Sequence, residues 1–196
     1  CALPISIVGQ AKNVTVSYSA GHWYIAVQTE HEANVETRKA DRVIGIDVGV
    51  KFFATLSDGT NYLPMNSLRS GERSLKIAQR ALSRKKKFSG RWQQQVNKIR
   101  KIHSHIAAKR SGHIHLCSTE ISKNHAVVSM EDLAVANMSA SAKGNHDNPG
   151  SNVRAKSGLN KAILDQGWRE FRRQMEYKQK YSGGKLFEKL CYSVFT

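Results

Sequence analysis

At 196 residues the chain has room for one domain of ordinary size and part of a second, with enough bulk to bury a real core. Hydrophobic residues at 40% and charged residues at 23% exclude wholesale disorder and a fibrous repeat. The 31 Lys and Arg outnumber 15 Asp and Glu, giving a net charge of +16 and a pI near 10.0, which favours a polyanionic partner such as nucleic acid over a small neutral substrate. An anionic membrane surface would satisfy the same charge. No membrane partner is expected, because no apolar run approaches the ~20 residues of a spanning helix and no signal-peptide pattern opens the chain.

Residues 14 to 30 read as two strands, "VTVSYS" and "HWYIAVQTE", with apolar residues alternating around Ala20 and Gly21. A β-hairpin is predicted there. The polar connector "HEANVETRKAD" separates it from "RVIGIDVGVKFFATLSDG", Arg42 to Gly59. With an Asp58-Gly59 turn, the stretch from 43 to 66 reads as an antiparallel meander. Asp47 stands out in it. A carboxylate buried between Ile46 and Val48 with no partner would cost on the order of several kcal/mol, so it should be neutralised, paired or bound to a metal.

From Glu72 to Ile121 the period changes. Leu75, Ala78 and Leu82 share one helical face; after a break at Ser89-Gly90, Trp92, Val96, Ile99, His103 and Ile106 share another. Two helices packed as a hairpin are predicted, with Trp92 in their core. Between Arg73 and Arg110 lie 13 Lys or Arg and no Asp or Glu, so the acidic partners that normally sit one helical turn away are missing. The hairpin is therefore expected to contact nucleic acid through Arg84, Lys85, Lys86, Lys87, Arg91, Lys98, Arg100 and Lys101. His103 and His105, like His113 and His115, are two apart and diverge on a helix, so they are not read as ligands.

"HAVVSMEDL" reads as a short strand ending in two acids, and the Ser-, Gly- and Asn-rich stretch 139–158 as a flexible loop. A helix is predicted from Asn160, its cap, to about Lys180, with Leu164, Trp168, Phe171 and Met175 as its core stripe. The strand ending at Glu131 is the best partner for the charge on Asp47. If the two strands pair, these carboxylates converge at one edge of the sheet and suit hard Mg2+ or Mn2+ ions, which prefer oxygen and keep bound water. Strand alternation sends Asp132 to the other face, so it is read as a cap or surface acid.

The stretch from Arg42 resembles the first RuvC motif of the TnpB (OrfB) family of insertion-sequence proteins, relatives of the type V CRISPR nucleases. "ALSRKKKFSGRWQQQVNKIRKIHSHIA" is similar to that family's basic helical insertion, "VVSMEDLAVANM" to its second RuvC motif, and "ILDQGWREFRRQMEYKQKYSGG" to the helix that follows. "NVTVSYSAGHWYIAVQTE" resembles the end of its β-barrel wedge domain. The resemblance runs collinearly from Val14 to Gly184. It implies an α/β fold: an RNase H-like (RuvC) mixed sheet with an inserted basic helical hairpin, preceded by a wedge-type hairpin. The implied organisation is a wedge-like part at 1–40 and an incomplete nuclease domain at 41–196, with the helical insertion at 70–122.

The implied activity is RNA-guided, metal-dependent cleavage of DNA, with Asp47 and Glu131 as catalytic metal-holding acids and Gly45 and Gly49 as their flanking glycines. Target DNA and a transposon-derived guide RNA are the implied partners, in a prokaryotic-type cytoplasm close to the nucleoid. Family members continue with a further strand, a zinc ribbon of two CxxC pairs and a third acid on a late helix. None of these is read here, and Asp165, Glu170 and Glu176 are not at the third acid's position. Cys1, Cys117 and Cys191 are isolated, which suits a reduced intracellular protein with zinc expected only in the missing C-terminal part. The "CALPIS" opening without Met and the unfamiliar "KLFEKLCYSVFT" end suggest a fragment, inactive as written and exposing a sheet edge. Two other readings stand beside this one: a non-catalytic nucleic-acid-binding remnant, and an actin-like ATP-binding kinase domain, whose phosphate loop "GIDVGV" also resembles. The kinase reading lacks a second Asp-Gly-Gly loop.

Overall fold

The computed structural model describes residues 9–30 and 42–189. The connector at 31–41, Cys1, Cys191 and the last residues of the chain lie outside the described residues. The described residues form two units, one of 9–30 with 73–105 and the other of 42–72 with 106–189.

In the first unit, β1 (Gln10–Ser19) and β2 (His22–Glu30) pair as the predicted antiparallel hairpin. Register sets Val14 against Val27, Val16 against Ile25 and Tyr18 against Trp23, so the apolar residues share one face. The two-residue turn needs left-handed backbone, and Ala20 (φ 52°) and Gly21 (φ 92°) adopt it. Helix α1 (Ser67–Ser83) and helix α2 (Gly90–Asn124) are the predicted pair. Within this unit Gln95 Nε2 donates to the Ala78 carbonyl at 2.9 Å. The break falls where expected because Phe88 turns left-handed (φ 64°) and the Ser89 hydroxyl accepts the Trp92 N–H at 3.2 Å, capping α2. Trp92 departs from expectation: it is half-buried, and its ring lies 5.5 Å from that of Phe88, which is 87% exposed.

The second unit holds a five-stranded sheet in the order β5-β4-β3-β6-β7. Strands β3 (Val43–Asp47), β4 (Ala54–Leu56) and β5 (Asn61–Tyr62) are the predicted antiparallel meander. Strand β6 (Val127–Glu131) lies parallel to β3, and β7 (Lys185–Lys189) parallel to β6. This is the α/β mixed sheet the motifs imply, antiparallel on the β4 side of β3 and parallel from β3 through β6 to β7. Ile44, Ile46, Leu56, Val128 and Met130 are buried with Ile114, Cys117 and Ile121 of α2 and with apolar residues from the C-terminal helices. Phe53 sits edge-on to Phe171 at 4.9 Å in that core.

Several expectations change here. The single helix predicted from Asn160 is two, α4 (Val153–Gln166) and α5 (Trp168–Tyr181), with the four-residue α3 (Val135–Met138) earlier in the chain. Gly167 separates α4 from α5 in left-handed backbone (φ 72°). Consequently Ile163, Trp168, Phe171 and Met175 are buried, whereas Leu164 is 57% exposed. Asn160 is not a cap: it lies inside α4 and its amide donates to the Ser139 and Ala140 carbonyls. The stretch expected as a loop at 139–158 therefore ends where α4 begins, and an isolated Gly144–Pro149 bridge closes its middle. Finally, residues after Gly184, read as lacking a further strand, supply β7, which pairs with β6 over five positions.

Candidate functional site

Parallel pairing of β3 with β6 sets Val43 beside Val127, Ile44 beside Val128, Gly45 beside Ser129 and Ile46 beside Met130. Partners in a parallel ladder project to the same face, so Ile44, Ile46, Val128 and Met130 all enter the core. The next residues at the carboxyl ends of both strands, one step beyond the last paired position, are Asp47 and Glu131. On the β4 side Asp47 pairs with Thr55. The apolar context of Asp47 is misleading: the carboxylate is exposed and Glu131 is half-buried, so Asp47 carries no burial penalty that a partner must relieve. Its place at the mouth of two parallel strands is where open α/β sheets bind ligands.

Gly45 has no steric reason to be glycine, since an added Cβ would meet Ser57 at an ordinary 3.6 Å; Gly49 is tighter, 3.3 Å from the Phe52 carbonyl. Asp132 is a surface acid, held by Arg172 at 2.6 Å, and Arg172 Nε also donates to Glu188 Oε1 at 2.8 Å. The other acids near the sheet have structural partners. Asp165 accepts Ser67 Oγ at 2.6 Å and Leu68 N at 2.9 Å, closing the first turn of α1, with Arg110 at 3.6 Å. Hydrogen bonds from Arg173, and from Gln174, pull the Glu170 carboxyl down to about 2. Among the described residues no group of three or more His, Cys, Asp or Glu is arranged to hold a metal. Burial pushes the Cys117 thiol up to about 11 and lowers His113, which touches it, so neither is primed as a nucleophile or base.

Beside Glu131 lies a cavity of about 560 Å³ lined by Val48, Leu133 and Trp168, with Arg169 and Arg172 at its polar side. Composition could not single out these two arginines, because the helix that carries them looks like a solvated basic face.

The basic residues predicted for nucleic-acid contact belong to the first unit. Arg84, Lys86, Lys87, Arg91, Lys98, Arg100 and Lys101 are exposed and Lys85 is half-buried. None of the eight has a carboxylate partner among the described residues. Arg100 and Lys101 also line a cavity of about 460 Å³ with Asn97 and the hairpin turn from Tyr18 to Gly21. Among the described residues no helix is long and apolar enough to cross a membrane.

The sequence profile of the family described as "OrfB_IS605: Probable transposase" matches residues 24–142. The chain is 52% identical over 180 residues to "Putative RNA-guided DNA endonuclease InsQ" of Escherichia coli (strain K12), covering 92% of this chain and 45% of that protein. It is 29% identical over 184 residues to "Putative RNA-guided DNA endonuclease" of Streptomyces pristinaespiralis, covering 93% of this chain and 42% of that one. Among solved structures, a chain of "Cryo-EM structure of the Cas12f1-sgRNA-target DNA complex" aligns with a TM-score of 0.49 at 15% identity, covering 85% of this chain and 32% of that chain. The chain thus spans less than half the length of the curated relatives it matches.

Proposed function

The chain belongs to the OrfB_IS605 transposase family, and on that footing we propose that it is part of an RNA-guided, metal-dependent DNA endonuclease in which Asp47 and Glu131 hold the metal. One observation carries the reading: β3 and β6 pair in parallel as far as Ile46 beside Met130, and Asp47 and Glu131 are the residues that follow at the carboxyl ends of these adjacent strands. Two carboxylates fit Mg2+ or Mn2+, which complete their shells with water and substrate phosphate oxygens. When bound, such ions activate water and stabilise the leaving oxygen of a phosphodiester. Exposure of Asp47 leaves it accessible to a DNA strand, and the absence of any steric demand for a glycine at Gly45 fits a position kept small for a close-lying backbone.

The basic helical pair would hold guide RNA and target through their phosphates, without reading sequence. A guide-loaded protein that carries the C-terminal portion as well should cleave target DNA only with a divalent ion, and Asp47→Ala in it should lower the rate by roughly a thousandfold or more. Undiminished magnesium-dependent cutting by that variant would refute the assignment.

A second reading has its own support, since no three-ligand group exists among the described residues. The protein would then be a non-catalytic nucleic-acid binder working through the basic helices alone. Binding that is indifferent to magnesium and falls steeply with salt, with no nicking, selects it.

A further inference from the structure

We propose that Arg172 is a positioning residue that fixes Glu131 for metal binding, an inference that rests on the acid-pair reading above. Arg172 grips two carboxylates on either side of Glu131. Its Nη1 donates to Asp132 Oδ1 at 2.6 Å, on the residue that follows Glu131 as β6 ends. Its Nε and Nη2 form a fork on Glu188, with Nε at 2.8 Å from Oε1. Glu188 is the β7 partner of Met130, the residue that precedes Glu131. One guanidinium therefore ties the backbone just after Glu131 to the strand opposite the backbone just before it.

The base of this clamp is rigid. Arg172 stands on α5 next to Phe171, which is 0% exposed, and one turn from Met175, also 0% exposed. A planar fork can engage two carboxylates at once in a way that a lysine point charge cannot. Arg172 also lines the cavity that Glu131 enters, so the clamp and the candidate ligand share one wall.

Charge alone predicts the reverse of what the clamp predicts, and this makes the inference testable. Removing a cation from beside Glu131, Asp132 and Glu188 should strengthen attraction for a divalent ion by simple electrostatics. If instead Arg172 holds the ligand in place, its loss should weaken binding, by the roughly tenfold or more seen when the supporting partner of a metal ligand is removed.

Mn2+ titrated calorimetrically into the full chain decides between these. The expected result is about tenfold weaker binding for Arg172→Gln, and a smaller weakening for Arg172→Lys, which keeps the charge but loses the fork. Unchanged or tighter Mn2+ binding by Arg172→Gln overturns the clamp. Should that variant fail to fold, Arg172→Lys decides alone, because electrostatics predicts no change for it. Asp47→Asn, run alongside, separates the two claims: if it abolishes binding while the Arg172 variants bind normally, the acid pair stands and the clamp falls. If the unsubstituted chain binds no Mn2+, the acid-pair reading falls and takes the clamp with it.

Discussion

Glu170 shows how a local hydrogen-bond arrangement becomes a measurable pH dependence. Arg173 and Gln174 hold its carboxyl near about 2, against an ordinary 4.5. A depressed folded-state pKa stabilises the fold above the ordinary value, and that stabilisation is lost as pH falls from about 4.5 through about 2. The side chain is 38% exposed, so solvent screening keeps the effect small. Urea midpoints of the unsubstituted chain and Glu170→Gln should differ near neutrality and converge toward about pH 2. Gly167 answers to a different force. At φ 72° a side chain is strained, and a Cβ there would stand 3.0 Å from Ile114 Cδ1 and 3.3 Å from Arg110 Cδ. Gly167→Ala should lower unfolding free energy by about 1–2 kcal/mol, read from the same denaturation curves. Asp47 marks the limit of residue-level reading. Val43 and Gly45 look like core by composition, yet Val43 is 61% exposed; hydropathy does not say that only one face of β3 is covered.

Elements whose signals are local were legible. The hairpin turn, the meander and the break before α2 each follow from two or three neighbouring residues: Ala20-Gly21, Asp58-Gly59, and the Ser89 cap. The division of the C-terminal helix was hidden because Gly167 is compatible with a helix interior by spacing alone. Only its packing against α2 fixes the turn. Strand β7 was missed because "KLFEK" carries three charges in five residues, and it is recruited by pairing with β6 rather than by its own propensity. The cap of α1 could not be inferred at all, since its acceptor, Asp165, is 98 positions from Ser67. Replacing Asp165 by Ala should therefore destabilise the fold by about 0.5–2 kcal/mol, with the loss visible in amide exchange of the first turn of α1.

At the scale of the molecule, Asp47 and Glu131 belong to one unit and the basic residues from Arg84 to Lys101 to the other. The two properties should therefore fail independently. Substituting Lys86, Lys87 and Arg91 together by Ala removes three exposed charges that have no acidic partners among the described residues. If they lie on nucleic-acid phosphates, affinity for duplex DNA should fall and the slope of log affinity against log salt should flatten by up to about 0.9 per lost contact. Mn2+ binding should be unchanged. Asp47→Ala should do the opposite, losing Mn2+ while keeping the salt slope, because a single acid contributes little to a field set by a net charge of +16. Fluorescence anisotropy with a labelled duplex at several salt concentrations, paired with Mn2+ calorimetry on the same samples, reads both effects. A triple variant with an unaltered slope would mean that these cations of the helical pair do not lie on phosphate. The +16 charge would then have to act as a diffuse field rather than through the surface assigned to it.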